Sequence, residues 1–583
     1  MPSKQKKSTT RAETATEAPS RVSRRRFLQA AGTIATATTA AAVGIEPLVR
    51  SAKAEAATRV KISKRRPSIP TVEPEQGTFA PLDQATLRAR RRRAYRLREE
   101  RARHWSELPI ETPLANDDEL LYPDGWANFS KGLPHDDLGH PDPDAFRALV
   151  DACTSGRVED FAAIPLGGAQ KIRNPQGALS LEFCGYDSNQ TIVPPAPSFA
   201  SAWRAAEMVE IYWASLLRDV PFLHYDTEPA IAEACADLSK LSDYRGPKQG
   251  GAVTPQTIFR GPYEGCTDGP FVSQFLLHNL AFGAQINTQR VRTFVPGVDY
   301  LTNYDEWLAR QSGAPFGARA YDANFYYLRN IRDLAAWVDT DPPLQAGYHA
   351  LSVLLQIGAP LNPESPYVDL ITNQDAFTTF GPVEWFDLVG RASRPAHEAG
   401  WFQKWRIHRS LRPEEFAGRV HNHLVGAFDY PLHPDVLNTE ALARTFSLYG
   451  SYLCAQAYPD GSPTHGAYPS GHSVGSGSTV TMLKALFDPD FEFPNAVEPS
   501  PSGIGLQTYS GPPLTVGGEL NKLAFNIGIA RATAGIHWRS DVVQGNALGE
   551  ATSISILGDM AHAYNEPFGG FTFQKFDGTT VTS

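Results

Sequence analysis

Tyr468-Pro469-Ser470-Gly471-His472-Ser473 is the stretch on which the reading of this chain turns. The residues after it, 473–487, read as a helix, so the Pro-Ser-Gly turn falls at a helix N-terminus. Unpaired backbone N–H groups and the positive end of the helix dipole favour an anion there. Gly471 lets the backbone approach a ligand closely, and Ser470 adds a hydroxyl. His472 then stands at the anion's edge, and histidine is the side chain that exchanges protons near neutral pH.

Two further segments carry the same chemistry. Upstream, Lys404 and Arg412 lie eight residues apart, about two helical turns, so one helix face could present both. Pro413 is expected to end that helix after Arg412. A guanidinium fork and an ammonium point charge together make an oxyanion clamp. Downstream, Arg531 adds a third cation. His537 and Asp541 are i, i+4 if the helix continues. A carboxylate one turn on would hold the imidazole in one tautomer and leave the other nitrogen free as ligand or nucleophile. Each segment alone is a weak signal. Three cations, a Ser-Gly turn and two histidines in order, spaced by roughly 60 residues each time, specify a site for a tetrahedral oxyanion. They do not choose between phosphate and vanadate.

The rest of the chain frames that site. It has 583 residues, 42% hydrophobic and 20% charged, enough for a large core or several compact units. A net charge of −9 argues against a general nucleic-acid binder. Arg24-Arg25-Arg26-Phe27-Leu28 opens an Ala/Thr-rich stretch to Val43, followed by small-residue cleavage candidates at 52–56. That order is the plan of a twin-arginine export signal over residues 1–56. It predicts a mature protein in the periplasm or outside the cell. No segment reaches about 18 uninterrupted apolar residues, so no membrane span is expected. Residues 57–107 read as a Pro-rich basic arm and an Arg-dense helix. The Arg run from 88 to 103 is read as a solvated face with Glu99 and Glu100 as partners, in preference to a nucleic-acid patch. From 108 to 583 apolar helical spacing predominates, with predicted helices over 200–217, 325–338, 345–356, 382–394, 400–410, 519–534 and 542–565. Strand patterns are few and short, so the class is all-α with long loops. Cys153, Cys184, Cys235, Cys266 and Cys454 form no C-x-x-C pair, which leaves one or two disulfides and buried free thiols both open.

Lys404…Arg412-Pro413, Pro469-Ser470-Gly471-His472 and Arg531…His537…Asp541 together resemble the signature of the type 2 phosphatidic acid phosphatase superfamily, which includes the vanadium-dependent haloperoxidases. One position departs from it: Ala530 stands where many members have Ser. Phe129–His135, 200–222, 270–274, 299–311 and 411–418 look like the bromoperoxidase branch, and a minimal phosphatase of the superfamily is much shorter. The resemblance implies two four-helix bundles, with the site within 400–545. It implies a vanadate cofactor with His537 as the metal ligand. Lys404, Arg412, Ser470, the Gly471 N–H and Arg531 would bind its oxygens. His472 would serve as acid and base, and Asp541 would orient His537. Asp341 would support His472 or Arg531. His465 and Trp401 bear on halide choice, and bromide is expected. His408, His421 and His423 are read as without a role. Hydrogen peroxide, a halide and a small organic acceptor are the implied partners, with a homodimer or larger homo-oligomer as the assembly. A secreted acid phosphatase, with His537 as nucleophile, is the alternative on the same site. A non-catalytic anion-binding protein is a second, opposed by the complete set of site residues.

Overall fold

The computed structural model describes residues 82–109 and 111–583; the stretch 1–56 expected to be an export signal, and the first part of the basic arm, lie outside these. Eleven helices build the scaffold around the site: α1 (Gln84–Glu107), α2 (Ala202–Leu216), α3 (Pro229–Lys240), α4 (Ile331–Trp337), α5 (Gln345–Ile357), α6 (Pro382–Phe402), α7 (Pro413–Leu424), α8 (Glu440–Tyr449), α9 (Gly471–Leu486), α10 (Val516–Thr533) and α11 (Arg539–Ala561). The class is all-α. Among the described residues the strands form four two-stranded antiparallel ribbons, such as Val291–Phe294 with Tyr321–Tyr326. No described helix is long and apolar enough to cross a membrane.

Two four-helix groups make the architecture. In the first, α2 packs against α3, α7 and α8. Ser201 caps α2 by accepting the Arg204 N–H, and Thr439 caps α8 by accepting that of Leu442. In the second, α9 packs against α6, α10 and α11, with α5 laid alongside. All of α10 except Gly517 is buried, and its polar side chains are paired inside. Lys522 binds Glu519 and the Asp268 carbonyl, both at 2.6 Å. A helix surrounded on all sides has no polar face, so its sequence shows no amphipathic stripe. Helices α9 and α11 meet backbone to backbone. A methyl group added at Gly549 would stand 2.3 Å from the Val474 carbonyl oxygen, so only glycine permits this approach.

Several expectations are corrected. Helix α6 does not run on to Arg412. It turns into a π-helical stretch, Gln403–His408, and Arg409 then adopts a left-handed backbone, φ +36°, which ends it. Pro413 opens the next helix, α7, rather than closing the previous one, as suits a residue with no N–H to lose. Lys404 and Arg412 therefore share no helix face. The predicted helix over 325–338 begins only at Ile331, because Tyr321–Tyr326 is taken as a strand by Val291–Phe294. The helix predicted over 542–565 runs from Arg539 to Ala561. In α1 the ion pairs of Arg101 and Arg103 go to Asp559 and Glu107, and neither Glu99 nor Glu100 pairs with the arginines. All five cysteines are free thiols.

Candidate active site

The chain breaks that interrupt the predicted helices build the site. Gly535, at φ +97°, ends α10 and swings the backbone so that His537 falls in the gap before α11. Asp541 is then not one turn along a continuous helix but at the third position of α11. Its Oδ2 accepts the Trp538 N–H at 3.0 Å and the His537 Nδ1–H at 2.7 Å. Arg412 NH1 donates to His537 Nε2 at 2.9 Å. A guanidinium can only donate, so Nε2 carries the lone pair and Nδ1 the proton, the tautomer a ligand or nucleophile needs.

Arg412 is fully buried at the start of α7, where the Glu415 carboxylate accepts its backbone N–H at 3.0 Å. Its side chain also binds the carbonyls of His465 and Ile536 and the ring of His465. Lys404, fully buried in the π-helical stretch, donates to the Gly466 and Ala467 carbonyls, both at 2.8 Å. Two of its three donors are thereby used. Arg531 donates to the Val338 carbonyl at 2.9 Å, while its buried Nε has no partner. Ser470 is the N-cap of α9 and Gly471 its first residue, and the Ser470 N–H donates to the Asp541 carbonyl at 2.9 Å. His472 follows, its Nε2 2.9 Å from Asp341 Oδ1.

A cavity of about 270 Å³ opens between these groups. Gly471, His472, Arg531, His537, His465 and Trp401 line it directly. Arg412 stands behind, bonded to both His537 and His465. Lys404 Nζ lies 6.0 Å from the Trp401 ring centre. Ser470 and Asp541 adjoin Gly471 and His537. All ten sequence-predicted residues thus meet at one place. Trp401 packs on His465 with ring centres 5.0 Å apart. Asp341 supports His472, not Arg531. His408, His421 and His423 do not line the cavity. Sequence reading missed Arg173 and His397, which do. His397 precedes Trp401 by one helical turn on α6, a spacing that could have revealed it. Arg173 comes from a distant loop and left no signal.

The electrostatics call for an anion. Burial, and then the neighbouring Arg412, hold the Lys404 ammonium well below its usual pKa. Burial pushes Arg412 down to about 9, which still leaves it cationic at neutral pH. Burial, then Arg412, Lys404 and Arg531, keep His537 neutral. The opposing carboxyl, Asp541, is itself raised to about 6 by burial. Two guanidiniums and a lysine whose charged form burial disfavours crowd one desolvated space; with an unpartnered arginine nitrogen and a helix N-terminus beside them, they fit a compact oxyanion, whose charge would favour the ammonium again.

A helical-bundle protein with a buried oxyanion cradle and a tautomer-fixed histidine is the class that fold and site define. Comparisons with known proteins narrow it. Residues 385–565 match the family described as the VCPO second helical-bundle domain. A vanadium-dependent bromoperoxidase of Ascophyllum nodosum is 34% identical over 78% of this chain and 86% of its own length. One from Corallina officinalis is 33% identical over 80% and 94%. The solved structure of the homohexameric second vanadate-dependent bromoperoxidase of Ascophyllum nodosum superposes with a TM-score of 0.82 at 28% identity, covering 89% of this chain and 94% of that one. The chain belongs to the vanadium-dependent bromoperoxidase family. A phosphatase is not favoured, because the likeness to bromoperoxidases extends over about four-fifths of the sequence.

Proposed function

We propose that this protein is a vanadate-dependent peroxidase that oxidises bromide with hydrogen peroxide: H2O2 + Br⁻ + H⁺ gives HOBr + H2O, and hypobromous acid halogenates an organic acceptor. The observation that carries the reading is the cavity lined by Arg531 and His537, with Arg412 behind it donating to the unprotonated Nε2 of His537 and Lys404 close by, its Nζ 6.0 Å from the Trp401 ring centre. Bound vanadate supplies a Lewis-acid centre that makes hydrogen peroxide electrophilic toward halide.

The chain supplies the rest. Lys404, Arg412, Arg531, Ser470 and the Gly471 N–H hold the oxyanion's charge, and burial removes the water that would otherwise screen it. His537 offers its Nε2 lone pair to the metal, and Asp541 holds the Nδ1 proton in place. His472 takes the proton from incoming peroxide and returns one to the departing oxygen, steadied by Asp341. His465 and Trp401 frame the approach of the halide.

Export by the twin-arginine route to the periplasm or beyond is part of the proposal. It rests on the Arg24-Arg25-Arg26 start, the Ala/Thr-rich middle and the small-residue end. A homo-oligomer, dimeric or larger, is supported by the homohexameric relative. A halide panel on vanadate-reconstituted protein tests the function. Bromination of a phenol dye should require vanadate, peroxide and bromide together, exceed chlorination, and vanish in His537→Ala. His472→Ala should bind vanadate and lose most bromination. Hydrolysis of p-nitrophenyl phosphate without peroxide, at rates matching or exceeding bromination, would overturn the assignment.

A further inference from the structure

His397 lines the same cavity without a place in the oxyanion cradle. It lies on α6 four residues before Trp401, and the two ring centres are 6.1 Å apart. Its Nδ1 is 2.7 Å from the Ser393 carbonyl oxygen, so Nδ1 carries the proton in the neutral ring. Nε2 is then an acceptor, and it makes no hydrogen bond to any described residue. Burial first, and then the nearby His472 and Lys404, disfavour the imidazolium form, so the acceptor persists. Gly475 leaves the ring its seat, since a methyl group there would lie 2.8 Å from His397 Cε1.

The surroundings select what this acceptor meets. Trp401, Pro343, Ala346, Pro463 and Ile527 give the cavity apolar lining beside its charged groups. Its volume, about 270 Å³, is shared with the oxyanion, which leaves room for no more than one small ring. Halide and peroxide do not need such a wall. A neutral acceptor nitrogen on an aromatic-lined wall is suited to a planar molecule that brings one donor.

We propose that His397 and Trp401 bind the organic acceptor, a small phenol, inside the vanadate cavity, with the phenolic O–H donating to His397 Nε2 and the ring resting on Trp401. This rests on the bromoperoxidase reading and names the acceptor class for it. Bromination is then completed within the cavity. The ring carbon forms a C–Br bond as the O–Br bond of hypobromous acid breaks, and the displaced ring proton leaves with the hydroxide as water. A ring held by its hydroxyl presents selected carbons to the oxidant, so the ratio of ortho to para product is set by the protein.

The test compares the phenol product ratio from vanadate-reconstituted enzyme with that from reagent hypobromite under the same buffer. Wild type should depart from the reagent ratio. His397→Phe, which keeps a planar ring and removes the acceptor, should return to it and raise the KM for phenol up to about tenfold, the range of one hydrogen bond. His397→Gln, which restores an acceptor, should recover most of the selectivity. Phenol binding to the vanadate-free protein, read by quenching of tryptophan fluorescence, should weaken in His397→Phe by the same factor. A wild-type ratio equal to that of hypobromite, or unchanged phenol affinity in His397→Phe, would sink the inference. So would an equal rise in the KM for bromide and phenol, which marks a merely structural role. If wild type oxidises no bromide at all, the bromoperoxidase reading itself has failed, a separate result.

Discussion

Asp541→Asn isolates the contribution of one buried charge. The amide oxygen can still accept from His537 Nδ1 and from the Trp538 N–H, so the tautomer and the start of α11 are kept. What disappears is the negative charge on the acceptor. Two effects of opposite sign follow. A more positive cradle attracts an oxyanion more strongly through space, because Asp541 faces both Lys404 and Arg412. Against this, a carboxylate makes the His537 imidazole a better donor to the metal and holds its orientation more firmly. Losing such a partner typically weakens a metal site by about 10–100-fold, or about 1.4–2.8 kcal/mol. Exchanging a charged for a neutral hydrogen bond accounts for about 1 kcal/mol of that. The contact is direct at 2.7 Å, so the local effect should win, and Asp541→Asn should bind vanadate at least tenfold more weakly. Equilibrium dialysis of vanadate, with thermal melting as a control, measures it. Equal or tighter binding in a normally melting variant would refute the reasoning and make Asp541 a simple counter-charge. The same logic sets a pH dependence. The Asp541 carboxyl, raised to about 6, becomes neutral as pH falls through that value, while His537, shifted the other way, stays neutral. Wild-type vanadate affinity should therefore fall as pH drops through about 6, and Asp541→Asn should lack that step.

Other residues give sharper yes-or-no outcomes. Asp341→Asn replaces the charged partner of His472; bromination kcat should fall about tenfold at unchanged vanadate affinity, and a loss of affinity instead would place Asp341 in the cradle. Ser470→Ala should cost only about 0.5 kcal/mol in denaturant unfolding, because the capping contact to the Ser473 N–H is long at 3.4 Å, yet it should weaken vanadate binding about tenfold. Intact affinity with a larger stability loss would reduce Ser470 to a helix cap. Gly549→Ala drives a methyl group against backbone atoms of α9 and should lower stability by about 1–3 kcal/mol; an unchanged melting temperature would mean that α9 and α11 can slide apart.

The chemistry of the site was more legible than its scaffold. Lys404, Arg412, Ser470, Arg531 and His537 are polar residues in Pro- and Gly-marked contexts, where the local reason for a polar group is easily read. Helix α5 follows apolar spacing because it has one buried side, whereas α2 is buried all round from Arg204 to Ser215 and was read from its run of apolar residues and good helix formers, its charged Arg204 and Glu207 pairing inside. The π-helical stretch at Gln403–His408 left no mark, since side-chain periodicity cannot register one extra residue in a turn. The break before His537 did leave one: Gly535 is the residue a left-handed turn requires. Where strand Tyr321–Tyr326 replaced a helix, pairing with residues nearly thirty positions earlier decided the matter, and no local window contains that information.

The interruption at Gln403–Arg409 has a mechanical consequence. Lys404 is anchored at the end of one helical group and Arg412 at the start of the other, and both donate to the Gly466 carbonyl, so the two cations meet where the groups join. An anion that neutralises both also fastens the groups to each other, and its departure leaves like charges pressing the joint apart.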